Sequence, residues 1–200
     1  MTDPDWFKDP TTSTADFIDE ALAAAVGRLT IAFSKAEGAL DRLLQQLMGV
    51  TPPKGNFVTA QVMNLSARMN MTAHLAEAKI DDEALLQDCK NIISAMRKLN
   101  TRRNTMLHSD VVRYQRNNNS PPEAMAATLS YYNVRPDGKE TSDIYVFSEG
   151  YIHELKRFAI RIDAACMVLS GNLEMGKRAV TPPSLEKHPE QPPKDHLFPR

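Results

Sequence analysis

The sequence predicts an all-α protein: an antiparallel four-helix bundle with a small β-hairpin inserted before the last helix. Three observations predict it. Four segments carry apolar residues at mostly alternating spacings of four and three, which places them on one face of a helix. The links between these segments are short and rich in Pro, Gly, Asn or Asp. One Tyr-, Val- and Ile-rich stretch around a Pro-Asp-Gly turn interrupts the helical rhythm.

Residues 1–13 hold three Asp, two Pro and few apolar side chains besides Trp6 and Phe7, and read as a flexible lead-in. The first helix is expected from near Thr14, with Ser13 or Thr14 as N-cap and Asp16, Asp19 and Glu20 at its positive end. Leu22, Val26, Leu29, Phe33, Ala36, Leu40, Leu43 and Leu47 follow at four-and-three spacing without a break. Gly49 and Thr51-Pro52-Pro53-Lys54-Gly55 stop it. A second helix is expected from about Phe57 to Lys79 on Val58, Val62, Leu65, Met69, Ala73 and Ala76, with Met63, Met69 and Met71 as adaptable filling. Asp81-Asp82-Glu83 caps the third helix, whose stripe is Leu85, Cys89, Ile92, Met96 and Leu99.

Past the third helix, Asn117 to Pro122 reads as a loop. The hairpin spans about 127–147, turning at Arg135-Pro136-Asp137-Gly138-Lys139. Ser148 caps a last helix with Ile152, Leu155, Ala159, Ile162, Cys166 and Leu169 on its stripe, closed by Ser170-Gly171-Asn172. From Gly176 onward six residues are proline and few are apolar, so 173–200 reads as a disordered tail after a bundle of 14–172.

Composition narrows function by exclusion. The chain has 200 residues, 42% of them hydrophobic and 24% charged, which suits one soluble domain with tails. A formal net charge of −1 argues against coating nucleic acid by bulk charge. No apolar run nears the roughly 20 residues that span a bilayer, and the acidic N-terminus does not resemble a signal peptide, so a cytoplasmic location away from membranes is expected. Cys89 and Cys166 both fall on apolar stripes and read as buried free thiols. His74 has no second histidine at i+3 or i+4, and the five histidines are scattered, no two sharing a ligand spacing with a carboxylate on the same face, so neither a metal nor a cofactor is expected.

The charge is nevertheless segregated. Between Arg97 and Arg116, six cations face only Asp110, a local net of +5; residues 1–20 hold six carboxylates against Lys8, a local net of −5. A basic helix end is ordinarily explained by the macrodipole, worth about 0.3–1 kcal/mol per cation, or by snorkelling of long side chains. The third helix adds something sharper. Its stripe continues from Leu99 to Arg103, a guanidinium where an apolar side chain is due, flanked by the column Asn100, Asn104 and His108.

Arg103-Asn104-Thr105-Met106-Leu107-His108 resembles the signature of the HEPN superfamily: an Arg, four to six residues, then a His, with a polar residue commonly following the Arg. The specific part of the likeness is these six residues, within 14–172. The resemblance implies a helical bundle that dimerises, so that two motifs line one cleft, and a metal-independent endoribonuclease. It implies His108 as general acid or base and Arg103 as phosphate and transition-state stabiliser, giving a 2′,3′-cyclic phosphate and a 5′-hydroxyl. The residue types suit that work. Imidazole exchanges protons near neutral pH, and Arg matches phosphate oxygens with a planar fork. Asn104 can orient the imidazole, the 2′-hydroxyl or a phosphate oxygen.

Arg102, Asn100, Arg113 and Glu37 are the further substrate-side candidates, Glu37 because it sits beside the first stripe and can face the Arg103 region. In a continuous helix Arg103 and His108 point about 140° apart, so they meet on one ligand only if the helix loosens before His108 or a second subunit supplies one of them. HEPN toxins regulated by a nucleotidyltransferase antitoxin carry a Tyr two residues after the His; here Asp110 stands there, which speaks against that regulation while leaving a protein antitoxin or defence partner open. Tyr114, Tyr131 and Tyr132 read as packing aromatics. The rival reading is a non-catalytic dimeric binding or scaffolding module built on the same bundle.

Overall fold

The computed structural model describes residues 20–51, 53–61, 64–108, 110–114, 126–134, 140–145, 147–189 and 194–196. Five helices lie among them: α1 Glu20–Met48, α2 Lys54–Gln61, α3 Leu65–Lys79, α4 Glu83–Leu107 and α5 Glu149–Glu174. The four described strands are β1 Asp110–Tyr114, β2 Ala126–Val134, β3 Glu140–Tyr145 and β4 Lys194–His196. The chain divides into two compact units, one of Arg28–Arg103 with His153–Glu190, the other of Met1–Gly27, Asn104–Ile152 and Gln191–Arg200. The expected lead-in, with Trp6 and Phe7, and the expected helix start near Thr14 lie outside the described residues.

The first unit is a helical bundle built on the stripes. Leu29, Phe33, Leu40, Leu43 and Leu47 of α1, Cys89, Ile92, Met96 and Leu99 of α4, and Leu155, Phe158, Ile162 and Leu169 of α5 are all buried. Burying a side chain of this kind is worth about 1.5–3 kcal/mol, which is why the unbroken spacing dictates the helices. The α1 helix stops where Gly49 takes φ 72°, its N–H donating to the Gln46 carbonyl at 3.0 Å. Asp82 caps α4 by accepting from the N–H groups of Ala84 at 2.8 Å and Leu85 at 3.0 Å. Ser148 does the same for α5 through the Tyr151 N–H at 3.2 Å.

The second helix differs from expectation. The segment expected as one helix is two, because Asn64 turns its side chain onto the Ser66 N–H at 2.8 Å and starts α3 afresh. Its front half carries no buried stripe: Phe57 and Val58 of α2 are exposed, and α2 instead buries Gly55 and Thr59. The buried Gln45 amide donates to Asn56 Oδ1 at 3.0 Å and to Thr59 Oγ1 at 3.3 Å. A β-carbon on Gly55 would lie 2.6 Å from the Gln45 side chain. Gly55→Ala is therefore expected to cost about 1–3 kcal/mol in urea unfolding, and less in a Gln45→Ala background, where the obstruction is gone.

The extra helix also changes the direction of packing. Arg97 donates to Asn70 at 2.7 Å and Lys90 pairs with Glu77 at 3.3 Å, so α4 runs antiparallel to α3. Arg42 reaches Asp163 at 3.8 Å and Gln46 donates to the Ser170 carbonyl at 3.0 Å, so α1 and α5 run in the same sense. A four-helix up-and-down chain would oppose those two. The expectation of a fully antiparallel bundle is corrected here, since α2 adds one more reversal of the chain.

The second unit contains an antiparallel sheet of order β1-β2-β3-β4. Val111 faces Leu129 across β1 and β2, Leu129 faces Tyr145 across β2 and β3, and Ile144 faces Asp195 across β3 and β4. Beyond the β2–β3 pair, the strand that follows the third stripe and a short strand from the C-terminal segment also join. Their signals in sequence are weak, one being five residues long and the other three.

The last helix and the tail also depart from expectation. Helix α5 passes Gly171 and runs to Glu174; just beyond it Gly176 takes φ 63° and its N–H donates to the Leu173 carbonyl at 3.1 Å. Asn172, fully buried, then fastens the chain: its Oδ1 accepts from the Ala179 and Val180 N–H groups at 3.1 and 3.0 Å, and its Nδ2 donates to the Val180 carbonyl at 2.7 Å. Arg178 pairs with Asp88 on α4, Nε to Oδ2 at 2.8 Å, and Arg161 donates to the Lys187 carbonyl at 2.5 Å. The expectation of a tail too poor in apolar residues to order itself leaves out these polar anchors over 177–189.

Both cysteines are buried free thiols, and burial pushes each up to about 12 from an ordinary 9.0. The unfolded chain loses those protons first, so the stabilisation is whole below about pH 9 and declines as pH rises toward 12. Urea midpoints are expected to fall between about pH 9 and pH 11, with a shallower fall in a Cys89→Ala/Cys166→Ala double variant. At neutral pH neither thiol should react with a thiol-exchange reagent until the protein is unfolded.

Candidate functional site

Helix α4 carries the motif at its C-terminal end. The apolar stripe brings Arg103 against α1, where its Cζ lies 5.1 Å from the centre of the Phe33 ring. A cation over an aromatic face is worth about 0.5–1 kcal/mol at exposed sites and more when desolvated. The guanidinium thus closes the end of a hydrophobic face, and its position where an apolar residue was due has a packing partner. Asn100, Arg102, Arg103, Asn104 and Thr105 are all half-buried, whereas His108 is exposed.

The helix does not loosen before the histidine. Its last helical residue is Leu107, and the His108 N–H still donates to the Asn104 carbonyl at 3.0 Å, the i to i−4 bond of an α-helix. Side chains five residues apart on such a helix leave it about 140° from each other. The loosened helix end that one of the two expected routes calls for is not seen ahead of His108.

The other candidates separate. Arg113 lies on β1 opposite Ala127, and Asp110 begins that strand opposite Ser130; their side chains are outside the described residues, as are those of Tyr114, Tyr131 and Tyr132. The carboxylate of Glu37 goes to α3. It accepts from Arg68 Nη2 at 2.6 Å, while Arg68 Nη1 takes both oxygens of Asp41, at 2.8 and 2.6 Å. Glu37, expected on the substrate side near Arg103, is committed to this pairing. Nothing in the sequence pattern singles out Arg68. The available signal was Glu37 and Asp41 at i and i+4 beside a buried stripe, two carboxylates that call for a cation from another helix.

Among the described residues no group of three or more His, Cys, Asp or Glu is gathered to hold a metal ion, and no helix is long and apolar enough to cross a membrane. Compared with family models, with curated proteins and with solved structures, the chain has no match in any of the three.

Proposed function

We propose that the chain is a metal-independent endoribonuclease of HEPN type, working as a homodimer whose cleft takes Arg103 from one copy and His108 from the other. One observation carries the reading: the Arg103 to His108 motif occupies the C-terminal end of a long bundle helix, with a half-buried guanidinium held in place and an exposed imidazole five residues on. On this reading α1, α3, α4 and α5 correspond to the four bundle helices, β2 and β3 to an inserted hairpin, and RNA in the cytoplasm is the substrate. An antitoxin or defence protein would be the regulating partner.

The chemistry is transesterification. The RNA 2′-hydroxyl attacks the adjacent phosphorus in line with the departing 5′-oxygen. A base removes the 2′ proton, an acid returns one to the 5′-oxygen, and the bonds made and broken leave a 2′,3′-cyclic phosphate and a 5′-hydroxyl. His108 serves as one of these proton carriers, and its exposure leaves it reachable. Arg103 stays charged as the phosphorane gathers negative charge and meets two of its oxygens with a fork that Phe33 keeps oriented. Asn104 supplies a neutral donor and acceptor beside them.

A second reading, a non-catalytic dimeric module, is favoured by the Phe33 contact, which already gives Arg103 a structural task. Arg103→Lys separates the two. Lysine keeps a cation over the ring but loses the planar fork. The nuclease reading expects a melting temperature within a few degrees of wild type and cleavage of single-stranded RNA in EDTA reduced about 10²-fold, with cyclic-phosphate ends on the wild-type products. Intact RNA after incubation with the wild-type protein would leave only the module.

A further inference from the structure

The C-terminal segment does more than cover α5: Arg161 holds its carbonyls at Ser184 and Lys187, at 3.5 and 2.5 Å, and so sets Lys187 and His188 against the helix. A cavity of about 610 Å³ lies there, lined by Arg157 and Arg161 of α5 and by Lys187 and His188 of the segment. Among the described residues Glu154 is the single carboxylate in its wall, so three cations face one anion there, a net of +2. Arg157 and Arg161 stand at i and i+4, where like charges repel, and the segment adds a third cation to them. Glu186, which could neutralise the group, lines a different cavity with Asp88 and Arg178. Half-exposed Ile160 gives the cationic cavity one apolar side, and Pro189 extends it.

We infer that this cavity binds an organic phosphate ester, the phosphate held by Arg157 and Lys187 and the esterified group lying on Ile160 and Pro189. Cations drawn from two parts of the chain into one concave site, with an apolar wall beside them, match that ligand class in charge and size. Arg161 is a positioning residue, its guanidinium stacked 5.3 Å from the Phe158 ring centre and its donors spent on the segment's carbonyls. Free nucleotides and RNA strands both present such esters.

The inference does not rest on the nuclease reading, and its test uses the full chain carrying Arg103→Ala, which silences the proposed catalytic cleft. Calorimetry with AMP and with inorganic phosphate, and fluorescence anisotropy with a labelled oligouridylate, are compared with and without Arg157→Gln or Lys187→Gln. Binding of AMP, of oligouridylate or of both, about tenfold weaker in each Gln variant and tighter than inorganic phosphate, supports the site. AMP alone identifies a free nucleotide and oligouridylate alone a strand. For the strand, each cation removed should flatten the salt dependence by about 0.7 in log–log slope. Affinities equal in variants and parent, or no binding of AMP or oligouridylate at about 1 mM, overturn it. Folding of each variant is checked by its melting temperature.

Discussion

Arg68→Ala should lower the stability of the bundle by about 3 kcal/mol. Arg68 is 12% exposed and its partners Glu37 and Asp41 are 27% and 22% exposed, so none of the three is well solvated. Removing the cation leaves two carboxylates four residues apart on α1, each poorly hydrated and each repelling the other. Breaking a buried pair typically costs about 3–5 kcal/mol, and the partial exposure here places the expectation at the lower end. Glu37→Gln and Asp41→Asn should each cost less, because Arg68 keeps its other partner. A Glu37→Leu/Asp41→Leu/Arg68→Met chain should regain most of the loss. Urea unfolding of the four variants checks the order; a loss under about 1 kcal/mol for Arg68→Ala would mean the trio is no better than an exposed ion pair.

That cluster also marks the limit of what the sequence discloses. Stripes are local and repeat, so Leu29 to Leu47, Leu85 to Leu99 and Ile152 to Leu169 are legible as buried faces without coordinates. Arg103 was legible as an anomaly on its stripe, but its Phe33 partner is seventy residues away and carries no local mark. Arg68 has the same difficulty: on α3 it reads as an ordinary helix cation until α1 lies beside it. Asn64 was a missed local signal, since the apolar rhythm running through it outweighed an Asn–Ser turn that the backbone prefers. The tail is a different case. Composition counts apolar burial, whereas Asn172, Arg161 and Arg178 secure 177–189 through carbonyls and one carboxylate. For the candidate site, the residue types were readable and the helix continuity was not; only the latter decides whether one chain can assemble the pair.

Two inactive variants mixed together should recover activity, and this is the largest and most specific effect the proposed site implies. His108→Ala removes a proton carrier, worth about 10²–10⁴ in rate, and Arg103→Ala removes the cation that meets the developing charge, worth about 10²–10³. Each homodimer is then dead. In the proposed site, with α4 helical to Leu107, a working pair joins Arg103 of one copy to His108 of the other. In a dimer of one variant with the other, one Arg103–His108 pair of the shared cleft lacks both groups and the second pair has both. Random exchange makes half the dimers mixed, so the mixture should cleave RNA at about a quarter of the wild-type rate. A site assembled within one copy would stay silent in the same mixture, since every copy would still lack one group. Co-refolding the variants before the assay ensures exchange, and a double variant mixed with wild type provides the reference in which trans pairing restores nothing.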